Sequence, residues 1–129
     1  MDTTNLWLKL AVVLLLLSSC QTPPERNCTA FKVGTYSFTT IVEGDTLSTT
    51  FVRQEDQEIE YFKETTDTAF IRWINKCEYI LKKKNPKNKA EEKSIHVKIL
   101  NTFENAYNFE YGVVGEPNRL KGTAHKIEK

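Results

Sequence analysis

The chain has 129 residues and a formal net charge of +1, with 40% hydrophobic and 27% charged residues. These values are typical of one globular domain, and they exclude a multidomain enzyme, a disordered acidic tail and a polytopic membrane protein. They also argue against a nucleic-acid-binding protein, because no strong positive field would attract phosphate.

The N-terminal segment differs sharply from this average. Residues 10–17 read LAVVLLLL, a run shorter than the roughly 20 apolar residues that a membrane-spanning helix needs. The run is closed by the small residues Ser18 and Ser19, as the apolar region of a secretory signal peptide is. The sequence therefore predicts a signal peptide over residues 1–19, with an uncleaved anchor helix as the alternative.

The end of this segment carries a lipidation signal. Leu17-Ser18-Ser19-Cys20 resembles the bacterial lipobox, in which the cysteine is lipidated on sulfur and the chain is cleaved just before it. The resemblance implies that Cys20 carries the lipid anchor, and three acyl chains, as in mature bacterial lipoproteins, suffice for stable anchoring. The residue after the lipidated cysteine is Gln21 and not Asp. By similarity to the sorting of enterobacterial lipoproteins, this implies the outer membrane. An ordinary signal peptide with a chance cysteine is the alternative.

A short polar tether is predicted over residues 20–28, followed by one β domain over residues 29–129. From Thr29 onward apolar residues mostly alternate, and β-branched and aromatic residues are frequent, which predicts strands. The predicted strands cover residues 31–41, 47–53, 58–64, 69–82, 94–103, 106–114 and 119–126, with turns at 43–46, 55–57, 65–68 and 115–118.

Two of these segments contain irregularities. In the first, the apolar parity shifts at Gly34, which predicts a bulge there. The segment 69–82 is either one long strand or two joined near Asn75-Lys76, and its β-branched and aromatic content favours strand over helix. The result is an all-β fold, an antiparallel meander of seven or eight strands forming a barrel or a sandwich, with no helix after the signal peptide.

The cysteines indicate a disulfide. If Cys20 is lipidated, Cys28 and Cys77 remain in an oxidising compartment, which predicts one disulfide between them. Two free buried thiols, or two cysteines too distant to bridge, are the alternatives. No metal site is predicted, because His96 and His125 have no ligand spacing to either cysteine.

A wider pattern surrounds these cysteines. Cys28-x-x-Phe31-Lys32-x-Gly34-x-Tyr36, then Arg53, then Trp73-Ile74-Asn75-x-Cys77-Glu78-Tyr79 resembles a group of small lipoproteins from the Bacteroidetes lineage. The resemblance covers most of the chain after the signal peptide but depends on few residues. It implies a compact lipocalin-like β-meander, as a barrel or half-barrel, and it supplies neither catalytic residues nor a cofactor.

The aromatic residues provide a candidate ligand site. An eight-stranded barrel is just wide enough to hold one small ligand or to fill itself with side chains, so these residues either line a cavity or pack a core. Arg72 or Asn75 could supply the polar group that orients a ligand. The predicted ligand-binding residues are Trp73, Asn75, Tyr79, Tyr107, Phe109 and Tyr111.

Two charged groups have competing interpretations. Glu58 and Glu60 share a strand face and could do acid–base chemistry, but such alternation is more typical of a solvated sheet face. A lysine-rich stretch could contact anionic lipid headgroups or polyanionic glycans, or could simply be a solvated hairpin loop whose charge Glu91 and Glu92 partly cancel. Its lysines are Lys82, Lys83, Lys84, Lys87 and Lys89.

The sequence thus predicts a lipid-anchored envelope protein that binds a small or amphipathic ligand and catalyses no reaction. The second hypothesis is an envelope interaction or structural protein with a packed core. An enzyme is least favoured, because no Ser–His–Asp order, paired-carboxylate motif or phosphate-binding loop is legible. His96, at an outward position, and His125, in the C-terminal tail, are interpreted as solvated.

Overall fold

The structure, a computed structural model, describes residues 26–127 and, nearer the N-terminus, residues 3, 5–7 and 9. The predicted lipidation site Cys20, most of the predicted signal peptide and residues 21–25 of the tether lie outside the described residues. No helix among the described residues is long and apolar enough to cross a bilayer.

Residues 26–127 form a short 3-10 helix, Cys28–Phe31, followed by eight antiparallel strands. The all-β prediction is confirmed, at the upper end of the predicted strand number. The strands are β1 (Gly34–Val42), β2 (Asp45–Arg53), β3 (Gln57–Phe62), β4 (Thr65–Asn75), β5 (Glu78–Lys83), β6 (Ile95–Thr102), β7 (Ala106–Val113) and β8 (Leu120–Lys126).

The strands close into a barrel. Each strand pairs with the next in the chain, and β1 pairs with β8 through the register Tyr36↔Lys126 to Phe38↔Ala124. Close approach at this seam requires glycine at position 122, because a Cβ there would lie 2.3 Å from Cε2 of Phe38. Closure through these three residue pairs covers that part of the sheet edge, which would otherwise be a template for strand addition by another chain.

The first predicted strand is wrong at its start. Residues Cys28–Phe31 form the 3-10 helix, and β1 begins only at Gly34, whose φ of 138° is a conformation that favours glycine. The shift in apolar parity at Gly34 therefore marks the change from helix to strand and not a bulge. No bulge is needed in β1, because its register with β2 runs without interruption from Gly34↔Arg53 to Val42↔Asp45.

Of two other boundaries, one is confirmed and one differs from the prediction. Residues 69–82 belong to two strands, β4 and β5, which is the second of the two predicted alternatives. The turn predicted at residues 65–68 lies earlier, at Lys63 and Glu64, and Lys63 has a φ of 53°. The threonines that follow this turn start β4, since β-branched residues suit a strand.

Alternation sends every second side chain into the barrel. On β5, β6 and β7 the inward positions are those that the apolar pattern indicated, and their most buried members are Tyr79, Val97, Ile99, Tyr107 and Phe109. On β3 the expected orientation is wrong. Glu58 is buried in the interior and Glu60 lines the interior at its open, solvent-exposed end, whereas Tyr61 is exposed on the outside.

One end of the barrel is sealed by the 3-10 helix. The predicted disulfide is present and joins Cys28 in this helix to Cys77 in the β4–β5 turn. Phe31 is buried, and its ring centroid lies 5.2 Å from that of Tyr107 and 6.3 Å from that of Tyr36. The helix is therefore a plug that is covalently attached to the rim of the barrel.

The residues assigned to the end of the tether also contact this rim. Arg26 Nη1 donates to the Ile99 carbonyl oxygen at 3.0 Å, and the Asn27 backbone N–H donates to Thr102 Oγ1 at 2.8 Å. Both partners lie on β6, so the chain enters the domain at the sealed end. The opposite end is open, and the long β5–β6 connection lies there.

Candidate ligand-binding cavity

The closed barrel contains a cavity of about 340 Å³. A second space of about 380 Å³ lies at the open end, and it shares Glu58, Glu60, Leu81 and Ile95 with the first, so the two spaces adjoin. Most of the inner lining is aromatic or aliphatic. The inner cavity is lined by Phe38, Thr49, Phe51, Glu58, Glu60, Tyr79, Leu81, Ile95, Val97, Tyr107, Phe109 and Tyr111.

Four of the predicted ligand-binding residues meet in this cavity: Tyr79, Tyr107, Phe109 and Tyr111. Trp73 does not line it. Its ring centroid lies 4.6 Å from that of Tyr79, and the ammonium of Lys32, a residue that directly follows the 3-10 helix, lies 5.6 Å from the Trp73 ring. Trp73 therefore packs behind the cavity wall, toward the sealed end.

Asn75 and Arg72, the predicted polar partners of a ligand, lie away from the cavity. Asn75 is exposed, its amide donates to Glu78, and its Oδ1 accepts a hydrogen bond from the Cys77 backbone N–H at 2.9 Å. These bonds shape the turn that carries Cys77. Arg72 is exposed on the outer face of β4, opposite Ile80.

Arg53 does not line the cavity but bonds to three residues that do, Glu58, Tyr79 and Tyr107. It is only 1% exposed, and its Nε donates to Glu58 Oε2 at 2.9 Å. Its Nη2 donates to the hydroxyl oxygens of Tyr79 and Tyr107 at 2.6 and 2.8 Å, and its Nη1 donates to the Phe31 carbonyl oxygen at 2.8 Å. One guanidinium thus ties together β2, β3, β5, β7 and the helical plug.

This environment keeps Arg53 charged despite its burial. Burial alone would lower the pKa of Arg53, but the Tyr79 and Tyr107 oxygens and the Glu58 carboxylate outweigh it and raise that pKa. The guanidinium carbon also lies 4.7 Å from the ring centroid of Tyr79 and 5.1 Å from that of Tyr36, within cation–π range. Burial raises the pKa of Tyr36 to about 12, with the charge of Arg53 opposing the shift. Burial also raises the pKa of Tyr79, so both phenols stay protonated at neutral pH.

Glu60 differs from Glu58 in having no paired cation. Glu58 is neutralised by Arg53, whereas among residues 26–127 no side chain donates a hydrogen bond to Glu60 or forms an ion pair with it. Glu60 is an exposed residue at the open end, but partial desolvation of its carboxylate within the mouth raises its pKa, and the charges of Glu58 and Asp67 raise it further against the opposing charge of Lys83. Its carboxylate is therefore an uncommitted acceptor, still accessible from the open end.

The mouth of the barrel is organised around Lys83. Its ammonium lies 3.0 Å from Glu91 Oε1 and 3.7 Å from Asp67 Oδ2. Glu91 also accepts a hydrogen bond from the Lys87 backbone N–H at 2.8 Å, which folds the β5–β6 loop over the rim. Burial alone would lower the pKa of Lys83, but the bond to Glu91 and the nearby carboxylates raise it.

The other lysines of the lysine-rich stretch do not line the cavity or its mouth. Lys82, Lys84, Lys87 and Lys89 are exposed, and the Lys84 ammonium lies 5.9 Å from the ring of Phe70 on the outer face of β4. The stretch thus divides into one inward lysine, Lys83, and four that face solvent.

His96 lies on the outer face, as its position in the pattern indicated, but it is not simply solvated. Its Nδ1 is 2.9 Å from Arg119 Nη2 and its Nε2 is 3.3 Å from Glu78 Oε1. His125 is exposed on β8. In the part of the chain that the structure describes, no group of three or more His, Cys, Asp or Glu side chains could hold a metal ion.

We expect Glu60→Gln to stabilise the protein slightly at pH 7. The raised pKa means that the folded state favours the protonated carboxyl, so its contribution to stability is present at low pH and is lost as pH rises through that pKa. The gain should stay below about 1 kcal/mol because the site is open to solvent, and it should vanish at acidic pH. Urea unfolding across pH measures it, with the exposed Glu64→Gln as control; an equal gain for both variants would contradict the assignment.

Several lining residues are absent from the predicted set because they lie on different strands. Alternation within one strand does not indicate that Phe38, Phe51 and Leu81 are neighbours, and only the closed barrel brings them together. In the sequence, Arg53 is singled out only by the resemblance to the lipoprotein group. A lone arginine at an inward strand position, beside an inward Glu58, is the signal that would have identified a buried ion pair. Comparison with protein-family models, curated proteins and solved structures gave no match.

Proposed function

We propose that this protein is a non-enzymatic binding module of the bacterial envelope, which holds a small or amphipathic ligand inside its barrel. The observation that carries the proposal is the cavity of about 340 Å³ with one sealed and one open end. Binding pockets for small molecules are typically apolar, with a few polar groups that fix orientation. Aromatic walls, with Glu60 near the mouth, match that description.

Binding is favoured over catalysis by the state of the ionisable groups. Glu58 and Arg53 satisfy each other, and the hydroxyls of Tyr79 and Tyr107 are held by the same guanidinium. Glu60 is left without a neighbouring nucleophile–base pair, and general acid–base catalysis requires positioned partners. A single open carboxylate is better suited to holding a complementary group.

The cavity can be tested with a neutral, environment-sensitive fluorophore such as N-phenyl-naphthylamine. We expect saturable binding to the full chain and a loss of about tenfold or more in affinity for Leu81→Trp, since Leu81 lines both the cavity and its mouth. Fluorescence titration measures the affinity, and thermal unfolding shows whether each variant is folded.

Ile80→Trp is the matched control, because Ile80 is adjacent on β5 and has the opposite orientation. It should bind as the unmodified chain does. If the unmodified chain shows no saturable binding, or if both tryptophan variants bind equally well, the small-ligand function is wrong. The interaction protein with a packed core would then be the better hypothesis.

We further propose that a lipid on Cys20 anchors the domain to the outer membrane, as the lipobox resemblance implies. Cys20→Ala should move the protein from the membrane fraction to the soluble fraction and remove the mass of the acyl chains. Ser19→Ala, which keeps a small residue before the cysteine, should leave the anchor intact. Cell fractionation and intact-protein mass spectrometry measure both effects, and a Cys20→Ala protein that stays with the membrane would contradict the anchor.

A further inference from the structure

We propose that the ligand of the barrel is a compact organic cation, a protonated amine with an apolar body, whose ammonium group binds at Glu60. This inference rests on the proposed binding function and adds the chemical class of the ligand. It follows from the distribution of charge around the mouth, the position of the aromatic rings and the size of the cavity.

The mouth carries more negative than positive charge. Glu60 lies directly opposite Asp67 in the β3–β4 register, and like charges at such positions repel. Asp67 and Glu91 share the single ammonium of Lys83. Three carboxylates therefore face one lysine, which leaves two negative charges. The other lysine of the mouth, Lys93, pairs with Glu116 at 3.1 Å.

Aromatic side chains lie where the body of a bound amine would rest. Phe51 is directly opposite Glu60 in the β2–β3 register, so the two side chains share the inner face. Tyr111 lines the same cavity as Glu60, and the charge of that carboxylate adds to the effect of burial in raising the pKa of the Tyr111 hydroxyl. A cation at Glu60 would thus combine a charge-assisted hydrogen bond with contact to aromatic rings.

An anionic ligand fits less well. The one inward lysine at the mouth that could receive a carboxylate near Glu60 is Lys83, and Asp67 and Glu91 already occupy it. The exposed lysines of the lysine-rich stretch do not line the cavity. A fatty-acid headgroup would have to displace Glu91 or face Glu60, and like charge disfavours both arrangements.

The volume of the inner space limits the apolar body of the ligand. At about 340 Å³ this space is near the lower end of the range of roughly 300–1,000 Å³ seen for small-molecule pockets, and the adjoining space of about 380 Å³ at the open end leaves room for the headgroup at Glu60. Because the far end is sealed by Phe31 and the disulfide, a long acyl chain cannot extend through the barrel. These limits favour an arylalkylamine-sized molecule.

Three matched probes test the inference: phenylbutylamine, phenylbutanol and phenylbutanoate, which share one apolar body and differ in the charge of the headgroup. Each displaces the neutral fluorophore from the full chain at pH 7 and low salt. We expect the amine to bind about tenfold more tightly than the alcohol, and the carboxylate most weakly. Glu60→Gln should weaken the amine much more than the alcohol, so that the two bind about equally, whereas Glu64→Gln, outside the cavity, should leave both affinities as in the unmodified chain.

If the neutral fluorophore binds but the alcohol or the carboxylate matches the amine, the cation assignment is overturned and the binding function stands. The same conclusion follows if Glu60→Gln weakens the amine and the alcohol equally. If the fluorophore does not bind at all, both proposals are wrong.

Discussion

Arg53→Met is expected to destabilise the domain by about 3–5 kcal/mol, the usual cost of removing one partner of a buried ion pair. The substitution leaves the Glu58 carboxylate buried without its cation and removes the hydrogen-bond donors to Tyr79 and Tyr107. For a domain of this size, with a total stability of about 5–15 kcal/mol, this is a large fraction. Urea unfolding followed by tryptophan fluorescence measures the loss.

A double variant separates the charge effect from packing. Arg53→Met with Glu58→Leu should recover at least half of the loss, because replacing both members of a buried pair with apolar residues is often nearly neutral. Arg72→Met is the control, since Arg72 is exposed on the outer face of β4 and should cost less than about 0.5 kcal/mol. Equal costs for the two arginine substitutions would show that the network around Arg53 does not stabilise the barrel.

The second large effect is expected from the disulfide. Replacing Cys28 and Cys77 together with Ala should destabilise the domain by about 4 kcal/mol, because the bond closes a loop with a sequence separation of 49 residues in the unfolded chain. Denaturant unfolding measures the loss, and the unmodified chain in reductant should lose a similar amount. If neither treatment lowers the unfolding midpoint, the bond does not contribute to stability.

Hydrogen exchange should show where the disulfide acts. The 3-10 helix Cys28–Phe31 has a single turn, so without the bond it is held mainly by Phe31 and by its contact with Arg53. We expect amide exchange in this helix to accelerate first, since weakly held segments open below the global unfolding free energy. A uniform acceleration across all eight strands would instead indicate that the plug and the barrel open together.

The barrel has a structural end, which holds the Arg53 hydrogen bonds and the disulfide, and a binding end at the open mouth. Arg53, Phe31 and the disulfide seal one end, where every buried side-chain polar atom of the described residues has a hydrogen-bond partner. At the other end Glu60 has no hydrogen bond or ion pair with a side chain of residues 26–127, and the partly desolvated carboxylate costs some stability. Functional sites often keep such unfavourable groups, because the missing interaction is supplied by the ligand.

Most strands could be predicted because each shows alternation over its own length. Ile95, Val97 and Ile99 on β6, and Tyr107 and Phe109 on β7, are inward as the period of two indicated. On β3 the predicted orientation of the side chains is wrong, because the alternating pattern assigns polar residues to the solvated face. Glu58 is inward because Arg53, its cross-strand neighbour, supplies the charge that makes its burial possible.

The candidate site was predicted only in part, for a similar reason. Tyr79, Tyr107, Phe109 and Tyr111 line the cavity because their strand positions share the inward parity. Trp73 has the same parity but lies at the sealed end, and the depth of a residue along the barrel depends on strand stagger. Asn75 is the last residue of β4, and its side chain bonds to Cys77 and Glu78 at the β4–β5 turn instead of entering the barrel.

The amino-acid sequence by itself determined the strand class and the order of the meander, because these follow from local alternation and turn residues. The Cys28–Cys77 disulfide was one of several alternatives for the cysteines, and the structure contains it. Only the tertiary structure decided that β1 meets β8, that Arg53 and the 3-10 helix seal one end, and that Glu60 faces an aromatic cavity at the other. Barrel closure brings together residues that are far apart in the chain. Their charges interact, and their side chains form a cavity, only when closure makes them neighbours.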